Sequence, residues 1–66
     1  MENTQGKNAK QNVQEVQNYL QNAQNCLNQA LNTVEKQENR DKIQNTLNSV
    51  NNALQSTSTT LSNYQE

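Results

Sequence analysis

Apolar residues recur along the first half of the chain at alternating steps of four and three positions. This spacing is the heptad pattern of a helix that packs one apolar stripe against another helix. The pattern predicts a first helix over residues 9–36. Its stripe consists of Ala9, Val13, Val16, Leu20, Ala23, Leu27, Ala30 and Val34.

A second stripe with the same spacing occupies the C-terminal half and predicts a second helix over residues 42–64. Neither half alternates apolar and polar residues with the period of two that is typical of a strand. Residues 1–8 show no apolar period and contain Gly6, the one glycine of the chain, so we expect a flexible tail there. The second stripe consists of Ile43, Leu47, Val50, Leu54, Thr57, Leu61 and Tyr64.

A charged segment with the sequence EKQENRDK, at residues 35–42, separates the two stripes. Val34 and Ile43 lie on either side of it, nine positions apart. On one continuous helix they would point to opposite faces, because each residue turns the helix by about 100°. The chain therefore reverses between the stripes, and we predict a turn at residues 37–41.

Two local signals favour that position for the turn. Asn39 tolerates the left-handed conformation that often ends a helix. Asp41, with Gln44 three positions later, resembles the capping box that begins a helix. The alternative is a turn at residues 32–33, with Thr33 as the N-cap of a longer second helix.

The predicted fold class is all-α, an antiparallel two-helix hairpin of the coiled-coil type. Stripe residues pair across it, from Val34 with Ile43 near the turn to Val13 with Tyr64 at the open end. Several pairs match a small residue with a large one, which lets helices interdigitate closely. The predicted hairpin core comprises Val13, Val16, Leu20, Ala23, Leu27, Ala30, Val34, Ile43, Leu47, Val50, Leu54, Leu61 and Tyr64.

The hairpin also has two flanks beside the stripe, and they differ in polarity. One flank carries small, apolar and aromatic side chains, whereas the other is mostly amide and hydroxyl apart from Leu31. We call the first the Tyr19 flank; it holds Tyr19, Cys26, Thr33, Thr46, Ala53 and Thr60. We call the second the Gln24 flank; it holds Gln17, Gln24, Leu31, Gln44, Asn51 and Ser58.

A lone hairpin of this size is expected to be marginally stable. Ordering some fifty residues costs on the order of 1.5 kcal/mol each, and each buried aliphatic side chain contributes roughly 1.5–3 kcal/mol. We therefore predict a homodimer, a four-helix bundle joined through Tyr19, Cys26, Thr46, Ala53 and Thr60. The alternative is an adaptor that binds the helix of another protein through the same flank.

The composition argues against several classes of partner. Primary amides make up 25 of the 66 residues, as 14 Asn and 11 Gln, and the net charge is -1. The five cations are offset by neighbouring acids, so the chain lacks the basic patch that nucleic acid binding requires. Lipid anchoring needs cations on the polar face as well, and no apolar run is long enough to span a membrane.

Residues that carry chemistry are scarce. The chain has no His, and its single cysteine, Cys26, has no neighbouring cation to activate it as a nucleophile. We interpret Cys26 as a small interface hydrophobe, and a single cysteine suits a reducing intracellular compartment. The acids and bases of residues 35–42 alternate, as solvated surface pairs do. We therefore predict no enzyme, no catalytic residue, no cofactor, no metal site and no small-molecule substrate.

The stretch from Val16 to Tyr64, with ALNTVEKQENRDKIQNTLNSV at its centre (residues 30–50), resembles a family of short uncharacterised proteins from spore-forming Firmicutes. The resemblance implies a helical hairpin with a role in sporulation, dormancy or germination. The amide-rich composition is also similar to that of small acid-soluble spore proteins. This chain lacks their glycines and repeat motifs, which puts DNA protection in doubt.

Taken with the residues themselves, the resemblance favours a non-enzymatic, self-associating helical protein with a structural or packing role in the spore. Its location is then intracellular, in the cytoplasm or the spore interior. Its expected partner is a second copy of itself, or another helical protein in the adaptor alternative.

Overall fold

The protein consists of two α-helices packed against each other as a hairpin. The structure is a computed structural model that describes residues 8–64. Helix α1 spans Ala9–Thr33 and helix α2 spans Gln37–Ser62, and the described residues contain no strand. The two helices are about 37 and 39 Å long at 1.5 Å per residue. The predicted all-helical hairpin is confirmed.

Helix α1 begins with a complete capping box. Asn8 is the N-cap: its side-chain oxygen accepts a hydrogen bond of 2.9 Å from the backbone N–H of Gln11. The Gln11 side chain accepts one of 3.1 Å from the backbone N–H of Asn8 in return. Two of the N–H groups that every helix leaves unpaired at its start are thus satisfied. Asn8 was predicted to belong to the tail; the rest of that tail, residues 1–7, lies outside the described residues.

The chain reverses at residues 34–36, three residues before the predicted turn at 37–41. Helix α1 therefore ends at Thr33 and not at residue 36. Its C-cap, Val34, has extended backbone angles (φ -67°, ψ 142°), so no left-handed residue ends the helix. The alternative turn at residues 32–33 is wrong as well, because Thr33 is the last residue of α1 and not the N-cap of α2.

The segment predicted as a turn is instead the first part of α2. Gln, Glu, Arg and Lys are good helix formers, and Glu38 in the first turn is favoured by the positive end of the helix dipole. Asp41 does not cap the helix. Its carboxylate accepts a hydrogen bond of 2.8 Å from Gln37 Nε2, one turn earlier. A charged, solvated sequence is thus compatible with a helix as well as with a loop.

Arg40 closes the turn from the α2 side. Its Nη1 donates a hydrogen bond of 3.1 Å to the carbonyl oxygen of Leu31, and its Nη2 donates one of 3.4 Å to that of Val34. Both carbonyls lie at the C-terminal end of α1, where a helix leaves acceptors unpaired and favours a positive charge. The last turn of α1 has no basic residue of its own. A cation from the second helix therefore caps the first.

The C-terminal half of α2 is rich in Ser and Thr, which are poor helix formers. The threonine hydroxyls donate to carbonyl oxygens four residues earlier, as Thr57 does to Ala53 at 2.7 Å and Thr60 does to Ser56 at 3.1 Å. Such bonds keep the hydroxyls satisfied within the helix. The helix ends at Ser62, two residues before the predicted end.

The hairpin core is thin. Leu47 is 6% exposed and is the one residue of the described chain that is buried. The remaining predicted core residues are half-buried, with one exception. Val16 is 46% exposed, so its assignment to the core is wrong. Ala9, which begins the first stripe, is exposed too.

The contacts of Arg40 lead to a first prediction. Arg40→Met should lower the free energy of unfolding by about 1 kcal/mol, because it removes charge-assisted hydrogen bonds from an exposed helix end. Urea unfolding followed by circular dichroism measures this. Lys42→Met is the matched control, since Lys42 is an equally exposed cation whose side chain does not cap α1. Equal losses in the two variants would contradict the capping role of Arg40.

Candidate functional site

The Tyr19 flank is the part of the surface where the sequence predicts an interface. Tyr19 is 67% exposed, and Cys26 is an exposed free cysteine. Thr46 and Thr60 are exposed on α2, whereas Ala53 is half-buried between the helices. A monomeric hairpin thus leaves most of this flank in contact with solvent, including its one aromatic ring. Whether a second copy covers it stays a prediction.

Val16 adds an apolar side chain to this surface. When the seven positions of the heptad are lettered a to g, with Val13 at a, Val16 occupies position d. Tyr19, three residues later, occupies position g, which is next to d on the helix surface. Residues three apart are neighbours on a helix surface, so Val16 and Tyr19 share one face of α1. Among the described residues, these are the large hydrophobic side chains that remain exposed. Both therefore lie on the flank predicted to be the interface.

The Gln24 flank, on the opposite side, is half-buried on α1, whereas its α2 residues, Gln44, Asn51 and Ser58, are exposed. Gln24 Nε2 donates a hydrogen bond of 2.7 Å to Asn51 Oδ1, which joins α1 to α2. Gln17 and Leu31, one heptad on either side of Gln24, are half-buried as Gln24 is. Helix α1 is thus rotated so that its Gln24 side turns towards α2. Val16, on the other edge of the apolar stripe, is exposed.

The matching heptad positions of two amide residues in the sequence are a signal for this bond. Gln24 and Asn51 occupy the same heptad position, e, and lie at matching heights when the stripes pair in antiparallel order. Amide side chains carry both a donor and an acceptor, so two amides at matching positions can bond to each other. Hydrophobic periodicity cannot reveal which flank closes, because it scores both amides simply as polar.

The described residues hold little that could support chemistry. No three His, Cys, Asp or Glu side chains within residues 8–64 come together in a way that could hold a metal ion. Neither described helix is apolar enough over sufficient length to cross a lipid bilayer. Cys26 and the carboxylates near the turn are exposed and separate in the fold. The most distinctive surface of the hairpin is therefore the one around Tyr19.

Comparison with known proteins adds no further constraint. No protein-family model matches the chain, and no curated protein and no solved structure is detectably similar to it.

The bond between Gln24 and Asn51 leads to a second prediction. A double-mutant cycle with Gln24→Ala and Asn51→Ala should show a coupling free energy of about 0.5–1.5 kcal/mol, the usual net value of a hydrogen bond. Urea unfolding of the wild type, both single variants and the double variant measures it. In the control cycle, Gln21→Ala replaces Gln24→Ala, because Gln21 is exposed on the outer face of α1. A coupling of zero for the first cycle would show that the amide bond does not stabilise the hairpin.

Proposed function

We propose that this chain is a non-enzymatic, self-associating helical protein with a structural or packing role, whose two-helix hairpins dimerise through the Tyr19 flank into a four-helix bundle. The observation that carries the proposal is the placement of Tyr19 and Val16. Both are large, apolar in the body of the side chain, exposed, and on the same flank. Burial of such side chains is the main favourable term in protein association.

The thin core supports the proposal on energetic grounds. A hairpin whose one buried residue in the described chain is Leu47 leaves its other apolar side chains partly wet. Small domains with too little core usually gain stability by oligomerising. A second hairpin on the Tyr19 flank would cover Val16, Tyr19 and the exposed edge of Ala53. Dimerisation would thereby complete the core that each hairpin begins.

The absence of charge on the Tyr19 flank suits contact with the same flank of a second copy. In a two-fold dimer the same surface patch occurs on both subunits, so a patch with a net charge meets a patch with the same net charge. The six residues of the Tyr19 flank and Val16 carry no charge. The other flank is less suitable, because Gln24 and Asn51 already satisfy each other there.

A place in the bacterial spore is the second part of the proposal. Its support is the resemblance of residues 16–64 to short hairpin proteins of spore-forming Firmicutes. The uncharged amide surface agrees with a packing role in a dehydrating compartment, because its interactions depend little on pH or salt. Expression confined to sporulating cells, measured with a tagged chromosomal copy, would support this part. Equal expression during vegetative growth would contradict it.

An adaptor that binds the helix of another protein is the second candidate function. The same observation favours it, because the exposed Tyr19 and Val16 offer anchors for any apolar helix. The size of the free protein separates the two functions. A stable homodimer hides the flank, whereas a monomer leaves it available to a partner.

The dimer leads to a third prediction. Tyr19→Lys should abolish it, because the substitution removes the exposed aromatic ring and places an unpaired charge in the interface. At low micromolar concentration, sedimentation equilibrium should give a dimer for the wild type and a monomer for the variant. The midpoint temperature Tm of the wild type should also rise with protein concentration, as mass action requires. That of the variant should be lower and independent of concentration.

Asn18→Lys is the matched control for this experiment. It adds the same charge one residue away, on the outer face of α1, where Asn18 is exposed. We expect it to remain a dimer with a concentration-dependent Tm. A wild-type monomer at high micromolar concentration, or dimers in all three proteins, would refute the proposed interface.

A further inference from the structure

Outside the ends of the hairpin, its surface is free of charge. Residues 16–34 and 43–64 include no Lys, Arg, Asp or Glu, and together they make up most of both helices. Net charge keeps protein molecules apart in solution, and surfaces with little charge lose that repulsion. Two hairpins that lie side by side therefore meet no electrostatic barrier along the body of either helix.

On each helix, the heptad line that faces away from the partner helix carries asparagines spaced seven residues apart, three on α1 and two on α2, where the line also holds Glu38 and Thr59. We call these asparagines the outer asparagine row; its α1 part, Asn18, Asn25 and Asn32, and its α2 part, Asn45 and Asn52, lie on opposite sides of the hairpin. All five are exposed, and in the described part of the chain their side chains form no hydrogen bond within the hairpin. Seven residues of helix rise about 10.5 Å. The row thus presents a free amide at regular intervals.

The fold of the hairpin does not account for asparagine at these positions. Asn is a weaker helix former than Ala, Lys, Glu or Gln, any of which would stabilise an exposed helix position better. The five positions are those where intrahairpin packing imposes the least constraint. Asparagine recurs at the same heptad position although it weakens the helix there. This recurrence indicates that a contact outside the folded hairpin requires it.

Amide side chains can meet that requirement because they are self-complementary. Each one carries a donor and an acceptor, so two identical rows can bond to each other without leaving a charge unpaired. The hairpin already contains such a contact between helices, since Gln24 Nε2 donates to Asn51 Oδ1 at 2.7 Å. Single hydrogen bonds at a wet surface are weak. A repeated row adds one such hydrogen bond at each of its positions along the helix.

We infer that copies of this protein associate laterally through the outer asparagine row into assemblies larger than a dimer. This inference deepens the packing role proposed above, but it concerns a different surface from the Tyr19 flank. The two surfaces lie on different sides of the hairpin, so a copy can use both at once. The dimer would then be the repeating unit, and the amide rows would join one unit to the next.

The test compares two variants with the same net charge. Asn25→Lys with Asn52→Lys adds two positive charges to the row and changes the net charge from -1 to +1. Glu35→Gln with Asp41→Asn removes two negative charges near the turn, away from the row, and reaches the same +1. Static light scattering over a concentration series, at low and at high salt, gives the weight-average mass of each protein.

We expect the mass of the wild type to rise beyond that of a dimer with concentration, equally at both salt concentrations. The variant at the turn should follow the wild type, whereas the variant in the row should stop at the dimer. A wild type that stops at the dimer would overturn the inference and leave the Tyr19 interface intact. If the rise of mass with concentration were lost equally in both variants, the inference would be overturned too, because net charge would then be the cause.

A further variant separates this inference from the proposed dimer. Tyr19→Lys should remove the discrete dimer at low concentration and still allow association through the row at high concentration. If Asn25→Lys with Asn52→Lys abolished the dimer as well, the two surfaces would not be distinct and the inference would fail.

Discussion

The whole structure depends on one apolar stripe shared between two helices. Leu47 is its most deeply enclosed member, and the other stripe residues are half-buried at best. With so little apolar surface, the hairpin must secure its helix ends and one of its flanks by polar contacts. The capping box at Asn8, the bonds of Arg40 across the turn and the bond between Gln24 and Asn51 do this at three separate places. The hydrophobic effect chooses the face of each helix, and hydrogen bonds fix its ends and its rotation.

The rotation of α1 links the fold to the proposed function. On α1 the Gln24 flank is half-buried, whereas Val16 is exposed. An apolar residue that the heptad pattern assigns to the core is thereby added to the exposed surface beside Tyr19. The hairpin thus has a more enclosed flank and a flank with a larger exposed apolar area. An unsymmetrical hairpin of this kind has one side suited to association and one side that is already complete.

The heptad stripes predicted the two helices correctly, because burial follows the helical period. Of the predicted core, Leu47 is buried, Val16 is exposed and the other residues are half-buried. The position of the turn was harder to predict. The sequence signals at Asn39 and Asp41 are local, whereas the contact that holds the observed turn joins Arg40 to carbonyls six and nine residues earlier. The exposure of Val16 was likewise outside the reach of the pattern, since hydrophobic periodicity assigns every stripe residue to the core alike. The interface residues were predicted from polarity alone. Their exposure in a single hairpin is compatible with an interface there, which stays a prediction.

The linker of three residues between α1 and α2 has a consequence for how copies meet. Two segments joined by so short a connection experience each other at an effective concentration in the millimolar range. Helical proteins of simple topology also fold within microseconds to milliseconds. Each helix therefore finds its own neighbour before it encounters one from another molecule. Closure of the hairpin therefore precedes association, and any larger structure is built from chains that have already closed.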